Sequence, residues 1–252
     1  MSQRVYLFST CLVEHLYPQV GMDCVALIEL AGFEVVLPKY QSCCGQPAFN
    51  SGAKGEAKIV ARKTIELLSE FDIPVLVPSA SCADMLIRHY PEMFRSDQNY
   101  HQKALALAKR CHEAITFLLP HLPAKPASEQ SPEADKSEHR LHISCSAQRA
   151  LKCNTAWLEA SRLIKDSAGE PAYGHECCGF GGTFSVKAPE ISSAMAQDKI
   201  KHLSAGQIDQ FVSGDCGCLM HLNGYSEKHG IKLRGEHICN ALARTYGVSN
   251  EQ

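Results

Sequence analysis

The chain has 252 residues, 45% of them hydrophobic and 21% charged, with a formal net charge of −2. That is the composition of an ordinary globular protein of one or two domains. It excludes a disordered chain, a collagen-like repeat and a coiled coil, and it offers no basic excess to a nucleic acid or an anionic membrane.

The amino terminus carries one basic residue and a short apolar run, less than the apolar core of a secretory signal. No stretch reaches the roughly 18 apolar residues of a transmembrane segment. A cytoplasmic location is expected, where thiols stay reduced. The chain nevertheless has 13 cysteines. In a reducing compartment, and with an odd count, metal or redox chemistry is their expected use rather than a disulfide framework.

In chain order, residues 5–8 form an apolar, β-rich run that ends just before Cys11. Val20, Cys24, Leu27, Ile28 and Ala31 recur at helical spacing, and Gly32 follows as a stop. Residues 33–37 read as a strand and 38–52 as a loop holding Cys43 and Cys44. Ala57, Val60, Ala61, Thr64 and Leu68 form a second helix face, and residues 73–77 a third strand running into Cys82. Cys111 is expected in a helix. A strand over 141–144 then leads to Cys145, and Arg149 and Lys152 open the helix that follows. Trp157, Ala160, Ser161 and Ile164 form another helix face, with Cys153 in the same pattern. A helix near 191–203 and a strand over 208–212 lead to Asp215-Cys-Gly-Cys218, and Cys239 is again expected in a helix. Cys24, Cys111, Cys153 and Cys239 are expected to pack in the core. Alternating strands and helices predict an α/β fold with mainly parallel sheets.

The sequence repeats itself. Cys11 and Cys43 stand 32 positions apart, as do Cys145 and Cys177. Each interval ends in Cys-Cys-Gly, at Cys43-Cys44-Gly45 and Cys177-Cys178-Gly179, and a further cysteine follows at Cys82 or Cys218. Two pseudo-symmetric α/β repeats are therefore expected, over residues 1–122 and 140–252. Residues 123–139, rich in Pro, Ser and charge, form the linker. The repeated cysteines fall at strand C-terminal ends, where open α/β sheets place their ligands.

Four thiols per repeat, drawn from three distant loops, suit a [4Fe–4S] cluster or a tetrahedral zinc site. Adjacent cysteines diverge. Several iron atoms accommodate such divergence more readily than one zinc ion does. Gly45 and Gly179 permit unusual dihedrals and close backbone approach, and their N–H groups can donate to sulfur. Cys216 and Asp215 adjoin the second motif as additional candidate ligands. His15, His175 and His221 lie near motif cysteines and read as surface or supporting groups. Gly179-Phe-Gly-Gly182 lacks the remainder of a phosphate-loop fingerprint.

The doubled Cys…Cys-Cys-Gly…Cys pattern resembles the cysteine-rich (CCG) domain family. The resemblance rests on residues 43–52, 78–82, 177–184 and 215–221 and covers nearly the whole chain. That family includes the B subunit of heterodisulfide reductase and iron–sulfur subunits of glycolate- and glycerol-3-phosphate-oxidising systems. Its short two-repeat members serve lactate oxidation. The resemblance implies an iron–sulfur electron-transfer subunit of an L-lactate-oxidising complex, an oxidoreductase component rather than a stand-alone enzyme. It further implies one or two [4Fe–4S] clusters per chain, held by Cys11, Cys43, Cys44 and Cys82 and by Cys145, Cys177, Cys178 and Cys218. The implied partners are a ferredoxin-like iron–sulfur subunit and a third small subunit. Where the heterodisulfide reductase subunit has the first cysteine of a Cys-x-x-Cys pair, this chain has Ser79 and Asp215. A heterodisulfide-reductase-like enzyme, a subunit of a glycolate- or glycerol-3-phosphate-oxidising system, a zinc-structured scaffold and a thiol redox sensor are the alternative readings.

Overall fold

The computed structural model describes residues 3–124, 138–164 and 167–249. Most of the expected linker, residues 125–137, lies outside them.

In the first half, β1 (Arg4–Leu7) leads to α1 (Cys11–Leu16) and α2 (Pro18–Leu30), then to β2 (Glu34–Val36), α3 (Gln46–Asn50), α4 (Lys54–Leu68) and β3 (Val75–Val77). α5 (Ala80–Asp84), α6 (Tyr90–Met93) and α7 (Gln98–Arg110) follow, then β4 (Cys111–Glu113) and α8 (Ala114–Leu118). The second half runs β5 (His139–Leu141), a π-helical turn over Ser146–Leu151, α9 (Asn154–Leu163), α10 (Phe184–Lys187) and α11 (Pro189–Leu203). It continues with β6 (Gln210–Ser213), α12 (Cys216–Lys228), β7 (Arg234–His237) and α13 (Ile238–Thr245).

Both sheets are parallel, in the orders β2-β1-β3-β4 and β5-β6-β7. The chain leaves β1 toward β2 and then crosses back to β3. The ends of β1 and β3 therefore flank a topological switch point, the crevice where such sheets hold ligands. The second half matches this plan, except that the equivalent of β2 shrinks to a single parallel bridge between His139 and Ser167.

The fold is α/β as the alternation predicts, with four local corrections. Residues 46–50, expected within a loop, are helical: Gly45 takes φ +82° to turn the chain, and proline is compatible with the first turn that follows. The strand expected over 141–144 is β5, two residues earlier, where the pairing with β6 begins. Cys111 opens strand β4 rather than lying in a helix, because its backbone pairs with Val75. Cys153 sits one residue ahead of α9 rather than within it.

Strand side chains alternate between two layers. Val5, Leu7 and Leu76 face a core shared by the two halves, which also takes in Leu141, Ile143, Val212, Trp157 and Ile238. Tyr6, Phe8, Val75 and Val77 face the first half's outer core, and Phe211 the second half's. Cys24, Cys153 and Cys239 belong to the shared core and Cys111 to the first outer core, all buried.

Buried polar contacts also join the halves. Trp157 Nε1 donates to Glu113 Oε2 at 3.0 Å, and Asn240 Nδ2 donates to Asp23 Oδ2 at 2.6 Å. Burial raises the Glu113 pKa, against the donors from Trp157, Thr116 and Ile115.

Trp157 lies flat against the backbone at Gly214, where an added Cβ would fall 2.5 Å from Trp157 Cζ2. Gly214→Ala is expected to cost about 1–3 kcal/mol by overpacking. Gly224→Ala, inside α12 with open space at its Cβ, is expected to add about 0.5–1 kcal/mol through helix propensity. Thermal denaturation should thus move the melting temperature in opposite directions for the two variants.

Candidate metal centre

Each half brings its motif cysteines together from three strand ends. Cys11 opens α1 just beyond β1, Cys43 and Cys44 lie between β2 and α3, and Cys82 sits in α5 after β3. The local caps are equivalent in the two halves: Thr10 Oγ1 accepts from Val13 N at 3.4 Å, and Ser144 Oγ accepts from Ala147 N at 3.3 Å.

In the first half the Cys11 and Cys43 sulfurs are 3.8 Å apart and those of Cys44 and Cys82 are 3.3 Å apart. In the second, Cys178 and Cys218 are 3.2 Å apart. Cys145 lies beside Cys177, as Cys11 lies beside Cys43. All eight are free thiols. The arrangement has an outer and an inner layer: Cys11, Cys43, Cys145 and Cys177 are half-buried, while Cys44, Cys82, Cys178 and Cys218 are buried.

The glycine after each doublet bends the backbone so that its own N–H points back at sulfur. Gly45 N lies 3.4 Å from Cys43 Sγ, and Gly179 N lies 3.4 Å from Cys177 Sγ. Both glycines have positive φ, +82° and +91°. At Gly179 a Cβ would also meet Ser192 O at 2.6 Å, so glycine is required there on two counts.

These donors, with the neighbouring thiols, pull the Cys43 and Cys177 pKa values far below the ordinary thiol range; the leading causes are the hydrogen bonds from Cys11 and Cys145 respectively. Their neighbours Cys11, Cys44, Cys145 and Cys178 move upward, each first because it donates to an adjacent sulfur. Each foursome thus concentrates negative charge on one outer sulfur.

A single tetrahedral zinc with Zn–S near 2.3 Å would bring all four sulfurs to roughly 3.8 Å of one another. Among the described residues, one group of three ligand atoms lies within 4.8 Å, and it consists of His142, Cys178 and Cys218. No three thiols of either half meet that spacing. The sulfur sets are soft ligands, and their closest pairs, at 3.2–3.8 Å, stand near enough to share a metal centre.

The other sequence candidates take different places. Asp215 caps helices: its Oδ1 accepts from Gly217 N at 3.1 Å and its Oδ2 from Ser81 N, in the other half, at 2.8 Å. Burial raises its pKa against these donors. Ser79 precedes α5, and its Oγ lies 3.4 Å from Ser81 Oγ. Cys216 is fully buried in the shared core.

His15 lines an open depression of about 340 Å³ together with Cys11, Glu14, Tyr40 and Cys43. The His175 carbonyl accepts from Arg149 Nη2, and Lys152 closes the π-helical turn with φ +58°. His221 Nε2 lies 3.2 Å from Ser192 Oγ. Gly179, Gly181 and Gly182 all have positive φ and wrap the second doublet. A cleft of about 150 Å³ opens onto Cys145 and Cys177 between the halves, with Gln46, Asn50 and Ser81 contributed by the first.

His142 was not singled out from the sequence. It is 1% exposed, and both ring nitrogens lack a hydrogen-bond partner. Burial, with Lys199 nearby, lowers its pKa to about 3, so the ring is neutral at physiological pH. The signal lay in the repeat itself: the position three before Cys145 is His142, and the position three before Cys11 is Phe8.

A family model described as cysteine-rich domain matches residues 5–87 and again residues 140–223. The chain is 39% identical over 240 residues to lactate utilization protein A of Shouchella clausii, covering 95% of this chain and 98% of that protein. It is 36% identical over 245 residues to lactate utilization protein A 2 of Bacillus cereus and to lactate utilization protein A 1 of Bacillus anthracis, covering 96% of this chain and 98% of each.

In the reduced, metal-free protein, Cys43 and Cys177 are expected to be alkylated first by iodoacetamide. A lowered pKa keeps them as thiolates from pH 8 down to pH 6, so their rates should stay nearly flat. An ordinary thiol of pKa near 8.5 loses close to two orders of magnitude over that interval, by a rough estimate. Mass-spectrometric site mapping against pH checks this.

Proposed function

The chain belongs to the cysteine-rich (CCG) domain family, and on that premise we propose that it is a cytoplasmic iron–sulfur subunit of a multi-protein L-lactate utilisation system, relaying electrons from lactate oxidation. The observation that carries this reading is the convergence, twice in one chain, of four thiols from three strand ends. The names of the relatives, over nearly their whole length, supply the pathway.

In this reading Cys11, Cys43, Cys44 and Cys82 hold one cluster and Cys145, Cys177, Cys178 and Cys218 another, in repeats spanning residues 1–122 and 140–252. A [4Fe–4S] cluster bound by such thiolates supplies one-electron transfer. The protein's own part is to bind and to tune. The inner cysteines anchor from the buried side. The Gly45 and Gly179 N–H groups donate toward sulfur, which stabilises added negative charge. The half-buried outer cysteines bring each centre to within reach of the surface. The partners are a ferredoxin-like iron–sulfur subunit and a third small subunit of the same system.

Anaerobic purification should yield a coloured protein with iron and acid-labile sulfide. Cys178→Ala is expected to remove one of two EPR signals of the reduced protein and leave the other. A colourless protein with stoichiometric zinc and no sulfide would refute the cluster reading. The pathway is tested separately: deletion of the gene, in a strain without a second lactate oxidase, should abolish growth on L-lactate and spare growth on pyruvate. Unimpaired growth on lactate would refute it.

A further inference from the structure

The two halves place equivalent backbone around their cysteines but not equivalent side chains. Phe8 N donates to Leu76 O at 2.9 Å, and His142 N donates to Val212 O at 2.9 Å. Both residues stand three positions before the first motif cysteine, and each accepting carbonyl stands six before the last. One fold position therefore holds a phenyl ring in the first half and an imidazole in the second.

That imidazole is exceptional within its own chain. Two other histidines are buried, and each is partnered on at least one ring nitrogen: His139 Nε2 lies 3.2 Å from Ser161 Oγ, and His237 Nδ1 accepts from Cys239 N at 3.1 Å. His142 is as deeply buried and has no partner on either nitrogen. Leaving a buried polar group unsatisfied costs on the order of 1–3 kcal/mol, so the ring needs a partner that the protein does not itself supply. A ring nitrogen lies within 4.8 Å of both the Cys178 and Cys218 sulfurs. A neutral imidazole beside two thiols is a metal-ligand set of the kind that suits iron.

We propose that His142 is a ligand of the second half's metal centre, so that the two halves hold unlike centres: all-cysteine in the first, mixed cysteine and histidine in the second. This rests on the reading of these sites as iron–sulfur centres. In that centre the imidazole takes the iron position of one of the four thiolates, which removes negative charge from the cluster and raises its potential. The second centre is then the better electron acceptor of the two, and the order of electron flow within the chain is from the first half to the second. The first half has no histidine at the matching position to do the same.

The test uses the full chain, purified anaerobically from cells fed ¹⁵N-histidine, reduced with dithionite and examined by pulsed EPR alongside iron and sulfide analysis. Strong coupling to a histidine ¹⁵N is expected in the wild type. It should be absent from Cys178→Ala, which retains the first centre, and absent from His142→Phe. His142→Cys, which restores a ligand if the phenylalanine variant loses metal, should keep iron and sulfide, lose the ¹⁵N coupling and show a lowered midpoint potential for one centre. Iron and sulfide in the wild type without ¹⁵N coupling, or coupling that persists in His142→Cys, would overturn the proposal and leave the cluster reading intact. Absence of iron and sulfide from the wild type would overturn both.

Discussion

Both oxygens of the Asp215 carboxylate accept backbone N–H groups, one in each half. A buried carboxylate is costly unless it is saturated with donors, and here the donors are the first-turn amides of two helices that meet head to head. Asp215 caps α12, which carries Cys218, and reaches across to Ser81 in α5, next to Cys82. The Ala80 N–H adds a bond to the Gly214 carbonyl at 3.2 Å. The last cysteine of each motif is thus positioned partly by the other half. The cleft onto Cys145 and Cys177, with Gln46 and Asn50 on one wall, follows from the same junction.

Much of this organisation was legible in the sequence, because the repeat spacing is enforced by the fold. Parallel strands joined by crossover helices fix the distance between successive strand ends, and the cysteines mark those ends. What escaped reading had weak local signals. β4 is Cys-His-Glu and β7 is Arg-Gly-Glu-His, three- and four-residue strands without an aliphatic run, which exist because a neighbouring strand offers its edge. α3 hides in a Gly-Pro segment that reads as loop. Asp215 stands where the heterodisulfide reductase subunit has a cysteine; its cap on α12 is a local pattern, but its hold on Ser81 depends on a contact 134 residues distant.

The differences between the halves cluster around the thiols. Counting back from Leu68 and Leu203 aligns Thr64 with Lys199, and counting back from Cys82 and Cys218 aligns Ser79 with Asp215. With Phe8 and His142, three positions near the first set are apolar or neutral where the second set has ionisable groups. Lys199 is fully buried; burial lowers its pKa, while its Nζ donates to the Gly174 carbonyl at 2.9 Å. An internal duplication fixes the backbone of two sites at once. Side chains around each can then diverge, and a buried ammonium acts strongly on nearby thiolates because little water screens it.

The shared core has a consequence for assembly. Small zinc modules fold only as they capture metal, because their ligands are the chief source of cohesion. Here three apolar clusters and two hydrogen-bonded sheets surround the sulfurs, and Cys44, Cys82, Cys178 and Cys218 are minor members of the two outer clusters. Most of the cohesion of such a scaffold lies outside its candidate ligands, and the outer thiols stand at its rim. On the reading proposed above, maturation can therefore follow translation as a separate event, and a damaged centre can be replaced by reinsertion rather than by making the polypeptide again.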